Sequence, residues 1–153
     1  MNFDKLEDYL EGVKNSVDYT LVNSMQKTAK QICKDMRSTV PVDTGKLKRS
    51  IHQKTVRNGS DYADSVTSYI YVNAKNKRGK KGVKYWKFVE FGTGIYNIHG
   101  GSPWTYKDRK GNTHTVNGQP PQAFVYPSVR ANIPETLGKY IQKYASKHLR
   151  DWY

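Results

Sequence analysis

Few residues in this chain have the type and spacing to do chemistry. Asp43-Thr44-Gly45 spells the tripeptide with which aspartic proteases hold one of two carboxylates that share a proton and activate water. One copy supplies one carboxylate, so that chemistry would require a dimer. The stretch that follows, Lys46-Leu47-Lys48-Arg49-Ser50, is basic where the protease loop is small and apolar. A cap and turn explain the tripeptide better. Gly92-Thr93-Gly94 has Asn97 where a dinucleotide loop needs a third glycine, and no Gly-Lys-Ser/Thr tail makes a phosphate loop. His52, His99, His114 and His148 show no ligand spacing with one another or with Cys33, which sits beside Ile32 on an apolar stripe as a structural thiol. No catalytic residue, metal or cofactor is expected.

Two charged features remain. Glu90 lies between Val89 and Phe91 in Tyr85-Trp86-Lys87-Phe88-Val89-Glu90-Phe91, which holds four aromatic rings in seven residues and is the densest core candidate. A carboxylate buried there needs a partner, and Lys46, Lys48 and Arg49 are the expected ones. The second feature is a run of six cations within residues 75–84, Lys75, Lys77, Arg78, Lys80, Lys81 and Lys84, with no acid among them. Such a run reads first as a solvated loop and second as a contact for DNA phosphates or an acidic partner.

Those residues must be held by elements that the periodicity predicts. Leu6, Leu10, Val13, Val17, Leu21, Met25, Ala29, Ile32 and Met36 recur three or four apart, an amphipathic helix from Asp4 to about Ser38, with acids crowding its start and cations its end. If unbroken it spans roughly 50 Å, more than a small sheet needs. The excess fits either a partner subunit or a helix wrapped across its own sheet. Residues 40–51 form a hinge in which Asp43 is expected to cap a turn, with Val42 and Leu47 spaced as a hydrophobic staple. Residues 50–57 and 65–74 read as strands joined by a loop over 58–64. In the second strand Val66, Ser68, Ile70, Val72 and Ala74 share one face and Tyr69 and Tyr71 the other. Residues 104–107 and 112–116 flank Asp108-Arg109-Lys110-Gly111 as a protruding β-hairpin, a candidate binding tongue. A second amphipathic helix starts near Pro127, with a kink or fresh start at Pro134, where Asn132 and Glu135 have capping-box spacing. Periodicity thus predicts one α+β domain over residues 1–153, a long N-terminal helix and a C-terminal helix packed on an antiparallel sheet.

Composition bounds the function. Hydrophobic residues make 36% of the 153, and exchanging the 12 Tyr for the 12 Gly leaves that figure unchanged. It is still below the roughly 45–50% of globular domains, so burial is expected to be completed by neighbours. The formal net charge of +13 would draw phosphate backbones, anionic membranes or acidic proteins. No apolar run approaches the roughly 18 residues of a membrane span, and the N-terminus lacks the pattern of a signal peptide. A soluble protein made in the cytosol is expected.

Three blocks together carry a family resemblance. Pro41-Val42-Asp43-Thr44-Gly45-Lys46-Leu47-Lys48-Arg49-Ser50-Ile51, Tyr85-Trp86-Lys87-Phe88-Val89-Glu90-Phe91-Gly92-Thr93, and Gly118-Gln119-Pro120-Pro121-Gln122-Ala123-Phe124-Val125-Tyr126-Pro127-Ser128 resemble, in order and spacing, the gene-ten-product family of long-tailed bacteriophages. Ala123 and Ser128 depart from the Pro and Ala common at those places. The resemblance implies a non-enzymatic virion protein of head-tail joining or tail completion. On that reading Asp43, Thr44, Gly45, Arg49, Glu90, Phe91, Gly92, Thr93 and Pro127 are motif residues with structural roles. It further implies a homo-oligomeric ring, six copies being one option, at the head-proximal end of the tail. Its partners would be connector or stopper and tail-tube proteins, with DNA passing through the ring and no membrane partner. Assembly would take place in the bacterial host cytoplasm. The charge alone supports the alternative of a sequence-independent nucleic-acid binder.

Overall fold

A computed structural model describes residues 3–60, 63–72, 83 and 85–150. The elements in order are helix α1 (Phe3–Thr39), helix α2 (Lys46–Ser50), strands β1 (Ile51–Ser60) and β2 (Ala63–Val72), helix α3 (Trp86–Phe91), a 3-10 turn (Gly94–Tyr96), strands β3 (Trp104–Lys107) and β4 (Thr113–Val116), and helix α4 (Val125–Arg150). β1 pairs with β2 and β3 with β4, giving two antiparallel two-stranded sheets in an α+β fold with long helices at both ends. The strands run further toward each other than the expected 58–64 loop allowed, because β-pairing continues through Asn58 and Gly59. The six cations of the run over 75–84 lie outside the described residues.

The chain forms two compact units. The first holds residues 1–34, 53–70 and 129–153. Its section of α1 buries the ridge Thr20, Ser24 and Thr28, with Ala29, Ile32 and Cys33 following. The polar members are small, and Thr28 Oγ1 donates to the Ser24 carbonyl at 2.8 Å. Thr55 and Ser68 share a hydroxyl hydrogen bond of 2.8 Å between β1 and β2. Arg57 of β1 pairs with Asp18 of α1, and Tyr19 of α1 meets Tyr144 of α4 edge-on at 6.3 Å.

The periodicity of α1 is real, but its first half does not use it for burial. Leu10, Val13, Val17 and Leu21 are exposed, and no described residue before Thr20 is buried. At 37 residues the unbroken helix is about 55 Å long. The same displacement affects α4. Its buried residues are Ser128 and Asn132, in line with Phe124 just before the helix, whereas the apolar Ile133 and Ile141 are exposed.

The second unit holds residues 35–52 and 71–128. Its core gathers Met36, Val40, Leu47, Ile51, Val83 and Phe124. Arg37 donates to the Ile51 carbonyl and so ties the end of α1 to the start of β1. The turn between them corrects the expected cap. α2 is entered through Gly45 at φ 67° with no side-chain cap, and Val42 is 61% exposed, so the staple with buried Leu47 is not made. A left-handed residue at the helix entry needs glycine, which moves the N-cap two residues past Asp43.

α4 begins at Val125, two residues before Pro127, and runs through Pro134 without a fresh start. Asn132 is buried inside the helix, its Oδ1 accepting from Thr136 Oγ1 at 3.1 Å, and so does not act as a cap. A proline there removes the N–H that would meet the Arg130 carbonyl and crowds that turn. Pro134→Ala should therefore stabilise the fold by about 1–3 kcal/mol, seen as a higher urea midpoint with an unchanged slope.

Candidate functional site

The three sequence blocks converge within the second unit, and Glu90 is the residue that joins two of them. α3 is a six-residue helix, and its aromatic positions are not the core expected of them. Phe88 is 58% exposed and Tyr85 is exposed, while Glu90, at 4%, is the buried residue of the segment. Glu90 Oε2 accepts the backbone N–H groups of Phe124 at 2.8 Å and Val125 at 2.9 Å, and Oε1 accepts that of Tyr126 at 3.0 Å. These are the donors that the first turn of a helix leaves without partners. The next residue, Pro127, has no N–H, so the end of α4 is fully satisfied by one side chain from another element.

The expected cationic partners are thereby corrected. Arg49 turns back to the Thr44 carbonyl at 3.2 Å instead. A helix N-terminus offers the carboxylate both hydrogen bonds and the positive end of the dipole, and three N–H groups satisfy it without desolvating a long basic side chain. Sequence reasoning did not find this pairing, but a signal for it exists. α4 has no acid in its first turn, and its N-cap position, Phe124, carries no acceptor.

Backbone contacts extend the joint. Gln122 N–H donates to the Val89 carbonyl at 2.8 Å, Thr93 N–H to the Gln119 carbonyl at 2.9 Å, and Ile95 N–H to the Asn117 carbonyl at 2.9 Å. Thr93 Oγ1 accepts the Gln119 N–H at 2.9 Å. The two strips approach so closely that a Cβ on Gly94 would lie 2.1 Å from the Asn117 carbonyl oxygen and one on Gly118 2.0 Å from that of Thr93. Gly92 ends α3 at φ 75°, and the Phe91 ring meets His99 edge-on at 4.9 Å. Beside this joint lies an open groove of about 400 Å³, lined by Pro41, Val42, Asp43, Thr44, Gly45 and Leu47 of the first block, Tyr85 and Val89 of the second, and Gln119 and Gln122 of the third. Its lining holds one carboxylate, Asp43, where acid–base activation of water uses a pair. Pro127 is exposed in the first turn of α4.

The β3–β4 hairpin is a separate feature of the same unit. Its register pairs Trp104 with Val116 and Tyr106 with His114. Those four residues share one face, on which the Tyr106 and His114 rings stack at 5.2 Å. Asp108 organises the turn. Its Oδ1 accepts the N–H groups of Lys110 at 2.8 Å and Asn112 at 2.9 Å, and its Oδ2 faces Asn112 Nδ2 at 3.0 Å and His114 Nε2 at 3.1 Å. The His114 bond, followed by those from Asn112, pulls the carboxyl down from 3.8 to about 2. Among the described residues no group of three His, Cys, Asp or Glu is placed to hold a metal ion, and no helix is long and apolar enough to cross a membrane.

A helix–turn–strand block followed by a buried, helix-capping glutamate defines a structural module, and comparison with known families agrees. Residues 4–92, more than half of the chain, match the family described as "Bacteriophage HK97-gp10, putative tail-component". The chain belongs to this family of phage tail components, and a tail component is part of the virion. The match contains the first block and most of the second; the third, which supplies the partners of Glu90, lies beyond it. No curated protein and no solved structure matches the chain.

Two outcomes follow from this geometry. Glu90→Ala should destabilise the protein by about 3 kcal/mol, and Glu90→Gln by somewhat less, because buried N–H groups lose their acceptors; Lys46→Ala should change stability by no more than about 0.5 kcal/mol. Denaturant titration separates the three. The Asp108 carboxyl is held below its ordinary value, so the ionised turn is complete above pH 3.8 and is lost as pH falls through about 2. The amide signals of Lys110 and Asn112 in an NMR titration should move together at that lower pH.

Proposed function

We propose that this chain is a non-enzymatic structural subunit that closes into a homo-oligomeric ring at the head-proximal end of the tail, completing the tail or joining it to the head connector. Membership in a family of tail components supports the setting. The observation that carries the reading further is the apolar surface left exposed on long, regular elements: Leu10, Val13, Val17 and Leu21 on α1, Ile133 and Ile141 on α4, and Trp104 and Tyr106 on the hairpin. Monomeric proteins seldom leave large contiguous apolar surface uncovered, and a closed ring buries such surface with no free end. In this reading residues 1–153 act as one domain. Connector or stopper and tail-tube proteins are its neighbours, and the +13 charge accommodates DNA passing through the ring.

The same charge favours a second reading, a free-standing nucleic-acid binder without sequence preference. Its affinity for DNA would fall steeply with salt whether or not the protein assembles. The two readings separate in the phage. Without this protein, filled heads and unattached tails should accumulate, and supplying it from a plasmid should restore joined particles. A supplied variant with Lys75, Lys77, Arg78, Lys80, Lys81 and Lys84 neutralised should restore fewer. Normal joining in the protein's absence would overturn the structural reading.

A further inference from the structure

The N-terminal half of α1 and the β3–β4 hairpin are complementary surfaces. On α1, Phe3, Leu10, Val13, Val17 and Leu21 form an exposed apolar stripe. Its first turns, residues 3–11, carry Asp4, Glu7, Asp8 and Glu11, four of the chain's 13 acids, against the single Lys5. All four are exposed, and among the described residues none has a cation partner. The hairpin is the converse. Trp104 and Tyr106 are 46% and 52% exposed on its aromatic face. Lys107, Arg109 and Lys110 gather at its turn, and its one acid, Asp108, is engaged by the turn's own donors. Those three cations have no carboxylate partner among the described residues.

An isolated two-stranded hairpin is marginal in water and needs a helix or a further strand against its face. An amphipathic helix needs a surface for its stripe. The lengths agree. Residues 3–11 of α1 rise about 12 Å, and the four-residue strands extend about 13 Å.

We propose that the acidic, apolar-striped start of α1 in one copy docks on the aromatic face and cationic turn of the β3–β4 hairpin in the next. The inference rests on the ring reading and supplies its interface. The two patches differ, so the contact is heterologous, the kind that closes into a ring when its rotation permits. Opposite charges at its rim set the register and the rate of encounter.

Reciprocal charge reversal in the full chain tests it. K107E/R109E/K110E and D4K/E7K/D8K/E11K should each weaken self-association at low salt by about tenfold, measured by sedimentation. Carrying both sets on one chain should return it close to the native value. The hairpin set is exposed and leaves the core untouched, and far-ultraviolet circular dichroism checks that the second set keeps α1 helical. As an independent readout, mixing the Leu10→Cys and Tyr106→Cys chains should give disulfide-linked heterodimers under mild oxidation, and either alone should give few. If rings form with unchanged affinity after hairpin reversal, or the combined chain is no better than either set alone, the interface is wrong while the ring reading stands. If hairpin reversal instead lowers affinity for duplex DNA and leaves association unchanged, the turn serves DNA and the proposal fails. A native chain that stays monomeric alone and on purified tails overturns the ring reading and the interface with it.

Discussion

A buried helix end is among the hardest things for a small fold to accommodate, and in this protein one carboxylate resolves it. α4 starts at Val125 beside Phe124, which is fully buried, so the Phe124 N–H is shut off from bulk solvent and those of Val125 and Tyr126 are partly so. The chain provides no Ser, Thr, Asp or Asn at the cap position and no acid in the first turn. Glu90 meets the need from α3 with both of its oxygens, and Pro127 removes the one donor beyond its reach. Much of the second unit follows from that contact. α3 must present Glu90 inward, which turns Phe88 outward. The strip from Asn117 to Gln122 must lie alongside residues 89–95, and Gly94 and Gly118 permit that approach.

This explains which parts of the fold were legible in the sequence. Both long helices and both strand pairs, the hairpin among them, could be read, because each is specified by local periodicity and turn chemistry that act within a few residues. The three blocks could be recognised as belonging together, and the structure does bring all three to one groove and two of them to one joint. The partner of Glu90 could not be read by looking for opposite charge, since the donors are main-chain groups that every residue carries. Only their lack of any local acceptor distinguishes them. The cap of α2 was displaced for a related reason. Asp43 has the right chemistry for a cap, but Gly45 has the backbone freedom, and in a five-residue helix the entry angle decides.

The apolar stripe of α1 was read correctly as a pattern; its second half, with Ala29, Ile32 and Met36, is buried within the chain, and its first half is not. Periodicity reports that a helix has a face and does not say where in the assembly that face is covered. In α1 the buried face begins with Thr20, Ser24 and Thr28, small and polar, and passes to Ala29, Ile32, Cys33 and Met36, while Leu10, Val13, Val17 and Leu21 remain exposed. Such an inversion is costly for a solitary protein, because it leaves transferable apolar area in water while desolvating hydroxyls. It becomes favourable if the small residues allow close packing within the subunit and the large ones are kept for a neighbour.

A part of a virion has reason to divide its residues in this way. The joint around Glu90 is made almost entirely of directional hydrogen bonds with matched donors and acceptors, which set one geometry and tolerate little change. The exposed stripes are made of non-directional apolar contacts, whose strength grows with area and which can be left unmade until a partner arrives. Assembly in order requires both properties: a subunit shape specified before contact, and association energy released only on contact. The low apolar content of the composition is then a consequence of where the burial takes place. The core of the subunit can be thin because polar bonds hold part of its geometry, and on the proposed reading the apolar side chains left exposed are covered by neighbours.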